Sequence, residues 1–438
     1  MRRLTTTAAL LLALGLAGSV IAPAVAAPTD PAPGPAAAAA GDLDGAALRR
    51  ALDAVIAQGV PGAVAEVRQD GRVWRGASGV ADLSGRPARA DDRFRAGSVT
   101  KTFVATVVLQ LVAEGRIRLD DPIGRHLPGL IPAGADGAQV TVRQLLGHTS
   151  GIPNYTDVLR RQPDPIRALQ HSAYTPHELV AMALREPWAF DPGAPGHWQY
   201  SNTNYVVLGL LIERAGGHPL GREIERRIVR PLRLTDTLVP SGPDLPGRHL
   251  NGYEWLDGPG AAPTDLTGLS AGAFWGPGNM ISTTADLNRF QQALSAGRLL
   301  PPRLLGEMRD VRDTDRAGRS YGLGLEANTT VCGTAQGPVR GHSGSVPGYN
   351  TFSFASADGR RWITLAVNVD LTKTRGADEA IGRVLSTALC RPAPPAQPAA
   401  QAGSSLAART VSACDRRFTG TVSAGACGSR TRVAAGGR

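Results

Sequence analysis

Two Asp-Gly pairs, Asp70-Gly71 near one end of the chain and Asp358-Gly359 near the other, each lie between runs rich in β-branched and aromatic residues. In that setting Asp-Gly is a strong signal for a tight hairpin turn. The first joins Gly62–Arg68 to Arg72–Gly79, and the second joins Tyr349–Ala355 to Trp362–Val369. An amphipathic helix through Leu48, Leu52, Val55 and Ile56 precedes the first hairpin. Between the hairpins, from about Asp120 to Pro301, helical patterns at Val142–Leu146, Pro176–Leu184, Tyr205–Ala215 and Thr284–Leu294 alternate with Pro/Gly-rich connections, and no internal repeat is visible. Strands at both ends with helices between them predict an α/β two-lobe (α+β) fold. Its antiparallel sheet, flanked by helices, is built from both chain ends, and an all-helical lobe is inserted into it. A cleft between the lobes is the expected place for a ligand.

The rest of the sequence sets the limits of such a domain. At 438 residues, 42% of them hydrophobic, the chain is long enough for two lobes. Met1-Arg2-Arg3, an apolar run from Ala8 to Ala17 and small residues ending at Ala24-Val25-Ala26 match a secretory signal. Residues 1–26 are therefore expected to be removed and the mature protein to be secreted. Residues 27–42 read as an Ala/Pro-rich linker, residues 43–390 as the folded domain, and residues 391–438 as a basic, Ala/Pro-rich extension open to cleavage. Most of the net charge of +10 belongs to that extension, which holds seven arginines against one acid, Asp415; the body is nearly balanced. This distribution points away from a nucleic-acid partner. No apolar run after the signal is long enough to span a bilayer, and a monomer is expected. Four cysteines in an exported chain read as disulfides. They permit three connectivities, of which Cys332 with Cys390 and Cys414 with Cys427 closes each loop within one segment.

Of the 47 basic residues only Lys101 and Lys373 are lysines, and Lys101 lies three positions after Ser98. Arginine stays protonated, whereas a desolvated lysine can act as a base. Ser98 opens a helical pattern in which Phe103, Val104, Val107, Val108, Leu111 and Val112 share a face and Gly115 is the stop, so Ser98 and Lys101 would sit side by side near a helix N-terminus. Tyr200-Ser201-Asn202 precedes another helix: the tyrosine is placed to relay a proton and the asparagine to hold a substrate amide. Gly341-His342-Ser343-Gly344-Ser345 opens the late hairpin. There Gly344 would let a substrate backbone approach the strand edge, and the N–H groups of Ser345 and Ser98 would form an oxyanion hole. Taken singly, these are an N-cap followed by a surface lysine, a capping turn and a glycine-rich turn.

Together, in this order, the three resemble the signature of the penicillin-recognising serine hydrolases (the beta-lactamase superfamily): Ser-x-x-Lys, then Tyr-x-Asn, then Lys/His-Thr/Ser-Gly. The chain is most similar to the exported serine D-alanyl-D-alanine carboxypeptidases of Gram-positive bacteria, with class C beta-lactamases as cousins. The likeness runs from about Leu43 to Cys390 and includes Thr141–Ile152, Gly196–Tyr205, Ile281–Leu287 and Tyr321–Leu325. The resemblance implies a beta-lactamase/transpeptidase-like fold and an acyl-enzyme on Ser98, with Lys101 and Tyr200 as the proton-transfer pair. It makes Asn202, His342, Ser343, Gly344 and Ser345 substrate ligands. The implied substrates are peptidoglycan stem peptides or small D-peptides and esters; beta-lactams are inhibitors, and no metal or cofactor is needed. An esterase, a D-amino-acid amidase, a class C-like beta-lactamase and a non-enzymatic penicillin-binding sensor are the alternatives on the same scaffold. Trp275 and Phe274 are candidates to line the cleft, and His148 reads as a loop-structuring residue. One position departs from the pattern. The carboxypeptidases carry an arginine for the substrate's terminal carboxylate six residues before the first disulfide cysteine, and here that offset falls on Glu326. Either Arg340 takes over, or the offset slips by a residue or two, or the substrate is not a free D-Ala terminus.

Overall fold

Side chains alternate across a strand, so a sheet covered on both faces buries both sets. Strand β1 (Gly62–Gln69) does this: Ala63, Ala65 and Val67 pack with Leu48, Leu52, Ile381 and Val384, whereas Val64 joins Phe103, Leu111 and Phe290. The computed structural model describes residues 43–132, 139–258, 260–370 and 375–391. By spatial proximity the chain divides after Pro392. The expected signal, the linker and the extension beyond Arg391, with Cys414 and Cys427, lie outside the described residues.

The sheet has eight strands, β1, β2 (Arg72–Gly79), β3 (Arg312–Asp313), β4 (Arg319–Tyr321), β5 (Glu326–Asn328), β6 (Val339–Val346), β7 (Tyr349–Ala355) and β8 (Arg361–Val367), in the order β2-β1-β8-β7-β6-β5-β4-β3. All neighbours are antiparallel, and β1 pairs with β8, Ala63 opposite Val367, which joins the two ends of the chain as expected. At the first Asp-Gly turn both residues have positive φ, 48° and 81°, the conformation a two-residue I′ turn requires. The second hairpin turns differently. Ser356 N–H bonds back to Arg361 O across a four-residue loop in which only Gly359 is left-handed, while Asp358 accepts from Ser356 Oγ (2.6 Å) and Arg360 N (3.1 Å). Strands β3, β4 and β5 were not expected from the sequence.

Helices α1 (Gly45–Ile56) and α10 (Arg375–Leu389) cover one face of the sheet. On the other face α2 (Thr100–Ala113) and α8 (Thr284–Ser295) pack against the strands, and α3 (Val142–Gly147), α4 (Tyr155–Arg160), α5 (Pro165–His171), α6 (Pro176–Ala183), α7 (Asn202–Gly216) and α9 (Pro302–Arg309) join them in the same core. Buried on nearly every side, α2 is a helix of the interior. The inserted helices and the sheet share one continuous core, so the two lobes are regions of a single unit. Cys332 and Cys390 are bonded, tying the β5–β6 connection to the end of α10. Among the described residues no helix is long and apolar enough to cross a membrane.

Candidate active site

Gly97, left-handed at φ 53°, turns the chain from the short strand Phe94–Arg95 into a 3-10 turn at Gly97–Val99 that runs directly into α2. This puts Ser98 one turn ahead of Lys101 on the same face, as the three-residue spacing predicts. Lys101 is fully buried, and its Nζ lies 2.9 Å from Ser98 Oγ, 2.8 Å from Asn202 Oδ1 and 3.1 Å from Pro277 O. Burial pushes the amine well below the ordinary lysine range, with Glu326 opposing the shift. A neutral amine has two hydrogens and one lone pair. Two of its three partners are pure acceptors, so the lone pair is left for the one partner that can donate, the Ser98 hydroxyl. Lys101 can thus take the serine proton without moving.

Tyr200 precedes α7 and shares a cavity wall with Ser98, whose hydroxyl partly offsets the effect of burial on the phenol. Burial holds its phenol well above its usual value, so it is a proton donor at neutral pH. Lys101 Nζ sits 4.8 Å from the centre of the Tyr200 ring and 5.5 Å from that of Tyr205. Asn202, the first residue of α7, is anchored by its Nδ2 donating to Thr156 Oγ1 (3.2 Å) and its N–H donating to Asn154 Oδ1 (3.0 Å). The amide expected to face substrate therefore orients Lys101 through its oxygen. His148 caps α3 with left-handed backbone, is buried, accepts at Nδ1 from Ser201 N–H (3.2 Å), and packs 4.4 Å from the Tyr200 ring, the structural role expected of it.

Strand β6 closes the site from the other side. A Cβ on Gly344 would fall 2.1 Å from Ala96 O and 3.1 Å from Ser98 N, and one on Gly97 would fall 2.8 Å from Ser345 N. The two backbones lie in contact, so the segments that carry the N–H groups of Ser98 and Ser345, the expected oxyanion pair, are packed against each other. Gly344 is thus required by the approach of the Ala96–Ser98 turn and not by a substrate backbone, a correction to the expectation. His342 needs a second correction. It is buried behind the strand, with Nε2 2.9 Å from Tyr321 OH and Nδ1 beside Ser343 O (2.5 Å) and Glu326 Oε1 (3.2 Å), and it lines neither cavity at Ser98. Burial lowers its pKa, so it is a neutral support for Tyr321 and Glu326. Tyr321, whose motif carried no assigned role, is the residue the sequence reading missed. Ser343 and Ser345 do face the cavity, and Ser345 Oγ donates to Asp370 (2.6 Å).

Two cavities meet at Ser98. The polar one, about 460 Å³, is lined by Tyr200, Asn202, Tyr321, Glu326, Ser343 and Ser345. The apolar one, about 290 Å³, is walled by Leu159, Ile166, Leu169, Phe274 and Val346. Trp275 faces neither: its ring packs on Gly209 of α7 and lines a separate cavity beside Pro219 and Val239. Gly209 has no side chain and leaves room for the indole there, which overturns its placement in the cleft; Phe274 is in the cleft. Arg340 likewise lines a separate cavity with Arg309 and Trp362 and does not take over at Glu326, which stands in the polar wall.

Residues 47–387 match the family model described as Beta-lactamase. The solved structure of a D-stereospecific amidohydrolase from Streptomyces sp. is 39% identical at a TM-score of 0.68, with 77% of this chain and 98% of that one covered. Among curated proteins, esterase EstB of Burkholderia gladioli is 39% identical over 209 residues (44% of this chain, 52% of the relative), and penicillin-binding protein 4* of Bacillus subtilis (strain 168) is 28% identical over 295 residues (65% and 62%). The chain thus spans between about half and three-fifths of the length of these curated relatives.

Proposed function

The chain belongs to the beta-lactamase family and is a serine hydrolase of that superfamily, and from this premise we propose that it cleaves amide and ester bonds on the carbonyl side of D-amino-acid residues through an acyl-enzyme on Ser98. The observation that carries the reading is the Lys101 amine held between two acceptors and the Ser98 hydroxyl. Ser98 Oγ bonds to the substrate carbonyl carbon as its proton passes to Lys101, and the N–H groups of Ser98 and Ser345 receive the negative oxygen. The bond to the leaving nitrogen or oxygen breaks as Tyr200 supplies that atom with a proton, and Lys101 returns one to Tyr200. Water then repeats the sequence, releases the acid and frees Ser98; an amine in place of water gives transfer. The apolar cavity takes the side chain of the acyl residue.

Two substrate readings fit this chemistry. Glu326 in the cavity wall favours amides and esters of D-amino acids, in keeping with a Streptomyces relative described as a D-stereospecific amidohydrolase. The penicillin-binding relative favours a DD-carboxypeptidase/transpeptidase on peptidoglycan stem peptides, exported and acylated by beta-lactams. Release of ammonia from D-phenylalanine amide, set against release of D-Ala from a diacetyl-Lys-D-Ala-D-Ala peptide, separates them. Labelled penicillin should acylate the protein and fail on Ser98→Ala, and labelling that survives would remove Ser98 from the mechanism. Mass spectrometry of protein recovered from a culture medium tests export and cleavage after Ala26.

A further inference from the structure

Strand β5 covers the edge of β6 only from Val339 to Gly341, so beyond that point Ser343 and Ser345 border the cavity of the nucleophile. Glu326 is the first residue of β5, opposite Gly341, and stands where that open edge begins. One of its carboxylate oxygens, Oε1, accepts from Ser343 N–H (3.2 Å) and Ser343 Oγ (2.8 Å) and lies 3.2 Å from His342 Nδ1. These contacts pin Oε1 against the strand. Its side chain remains 16% exposed in the wall shared with Ser98. The cationic side chains nearby do not compensate it. Arg160 is paired with Asp157 (3.0 Å), Arg340 opens on another cavity, and Arg316 and Arg319, which line the same cavity as Glu326, form no ion pair with it among the described residues. Lys101, the cation closest to the nucleophile, is held by desolvation toward its neutral form.

A group laid along this edge and attached to the scissile carbonyl meets an acceptor-only carboxylate, which favours an N–H donor or a positive charge and repels another carboxylate. We infer that Glu326 is a specificity-determining residue, selecting substrates whose leaving group offers N–H donors, a carboxamide or an ammonium, and rejecting those that end in a free carboxylate. The inference rests on the D-residue hydrolase reading above and narrows its substrate class. It makes the chain an enzyme of amidated or amine-bearing ends and a poor peptidase of free C-termini.

The test compares leaving groups on a common acyl part. The series is D-Phe-D-Ala, its C-terminal amide, D-Phe N-(2-aminoethyl)amide and, as the donor-free reference, D-Phe isopropylamide, with kcat/KM read from D-Phe release. Diacetyl-Lys-D-Ala-D-Ala and its C-terminal amide provide the same contrast on a second acyl part. The carboxamide or the ammonium substrate, or both, should exceed the free carboxylate by at least about tenfold, and which is higher tells the two donors apart. In Glu326→Gln that ratio should fall toward one, and in Glu326→Arg it should invert. Folding of each variant is checked by circular dichroism, and the reactivity of Ser98 by labelling with a carboxylate-free fluorophosphonate. Equal turnover of carboxylate and amide in the wild type, or a preference unmoved in Glu326→Gln, overturns the role of Glu326 and leaves the D-residue reading standing. A preference that vanishes in Arg316→Gln or Arg319→Gln but not in Glu326→Gln does the same. Failure to cleave any member of either series, with Ser98 still labelled, overturns both.

Discussion

Lys101 is a residue whose environment decides its charge, and its charge decides the chemistry. Burial lowers its pKa, so the amine becomes a base at a pH where an ordinary lysine is still protonated. Acylation should therefore be lost as the pH falls through that depressed value, and the acid limb of a stopped-flow pH profile should report it. Lys101→Arg keeps a positive charge and cannot give up a proton, so its acylation rate should fall by about 10²- to 10⁴-fold. A near-normal rate would make charge, and not basicity, the requirement. Tyr200→Phe should slow turnover of amides more than turnover of activated esters, because a nitrogen leaving group needs the donated proton; equal losses on both would count against that role. The pairing of Ser98 with Lys101 was legible because helical spacing brings positions three apart together. Pro277 O and Tyr321 were not: Pro277 meets Lys101 across 176 residues of chain, and Tyr321 meets His342 from a strand too short to show a pattern.

At the scale of elements, the site depends on one contact, the turn before α2 lying against the middle of β6. Gly344→Ala would drive a methyl into Ala96 O, 2.1 Å away, and push the N–H of Ser345 off the oxyanion position. Acylation should drop by about 10²- to 10³-fold, the usual worth of one such donor, with the fold retained by circular dichroism. Both hairpins and the helices α1, α2, α3, α6, α7 and α8 were legible from periodicity, whereas α4, α5, α9 and α10 were not expected. Strands β3, β4 and β5, two or three residues each, are too short to show any, and their pairing is dictated by β6. Glu326 had a signal in its offset from Cys332, but whether it faced the nucleophile depended on the register of β5 against β6. Trp275 was misplaced because an aromatic at a loop reads the same whether it faces a cleft or a glycine on a neighbouring helix.

For the whole molecule, the Cys332–Cys390 bond spans 58 residues of sequence and closes β6, β7, β8 and α10 into one loop. The chain-entropy model assigns such a loop about 4 kcal/mol. Replacing both cysteines by serine should lower the free energy of unfolding by up to about that amount, read as a lower urea midpoint, while Ser98 labelling of the folded fraction persists. The two-ended construction of the sheet was legible; the single core shared by sheet and helices was not, because burial of facing segments far apart in sequence leaves no local pattern. The same construction sets α1 and α10 against each other on the face of the sheet away from the α2 layer that carries Lys101. The first and last described helices are therefore neighbours behind the catalytic mouth. A bead or a fluorophore coupled to an exposed side chain of either helix would therefore be joined to the enzyme across the sheet from Lys101.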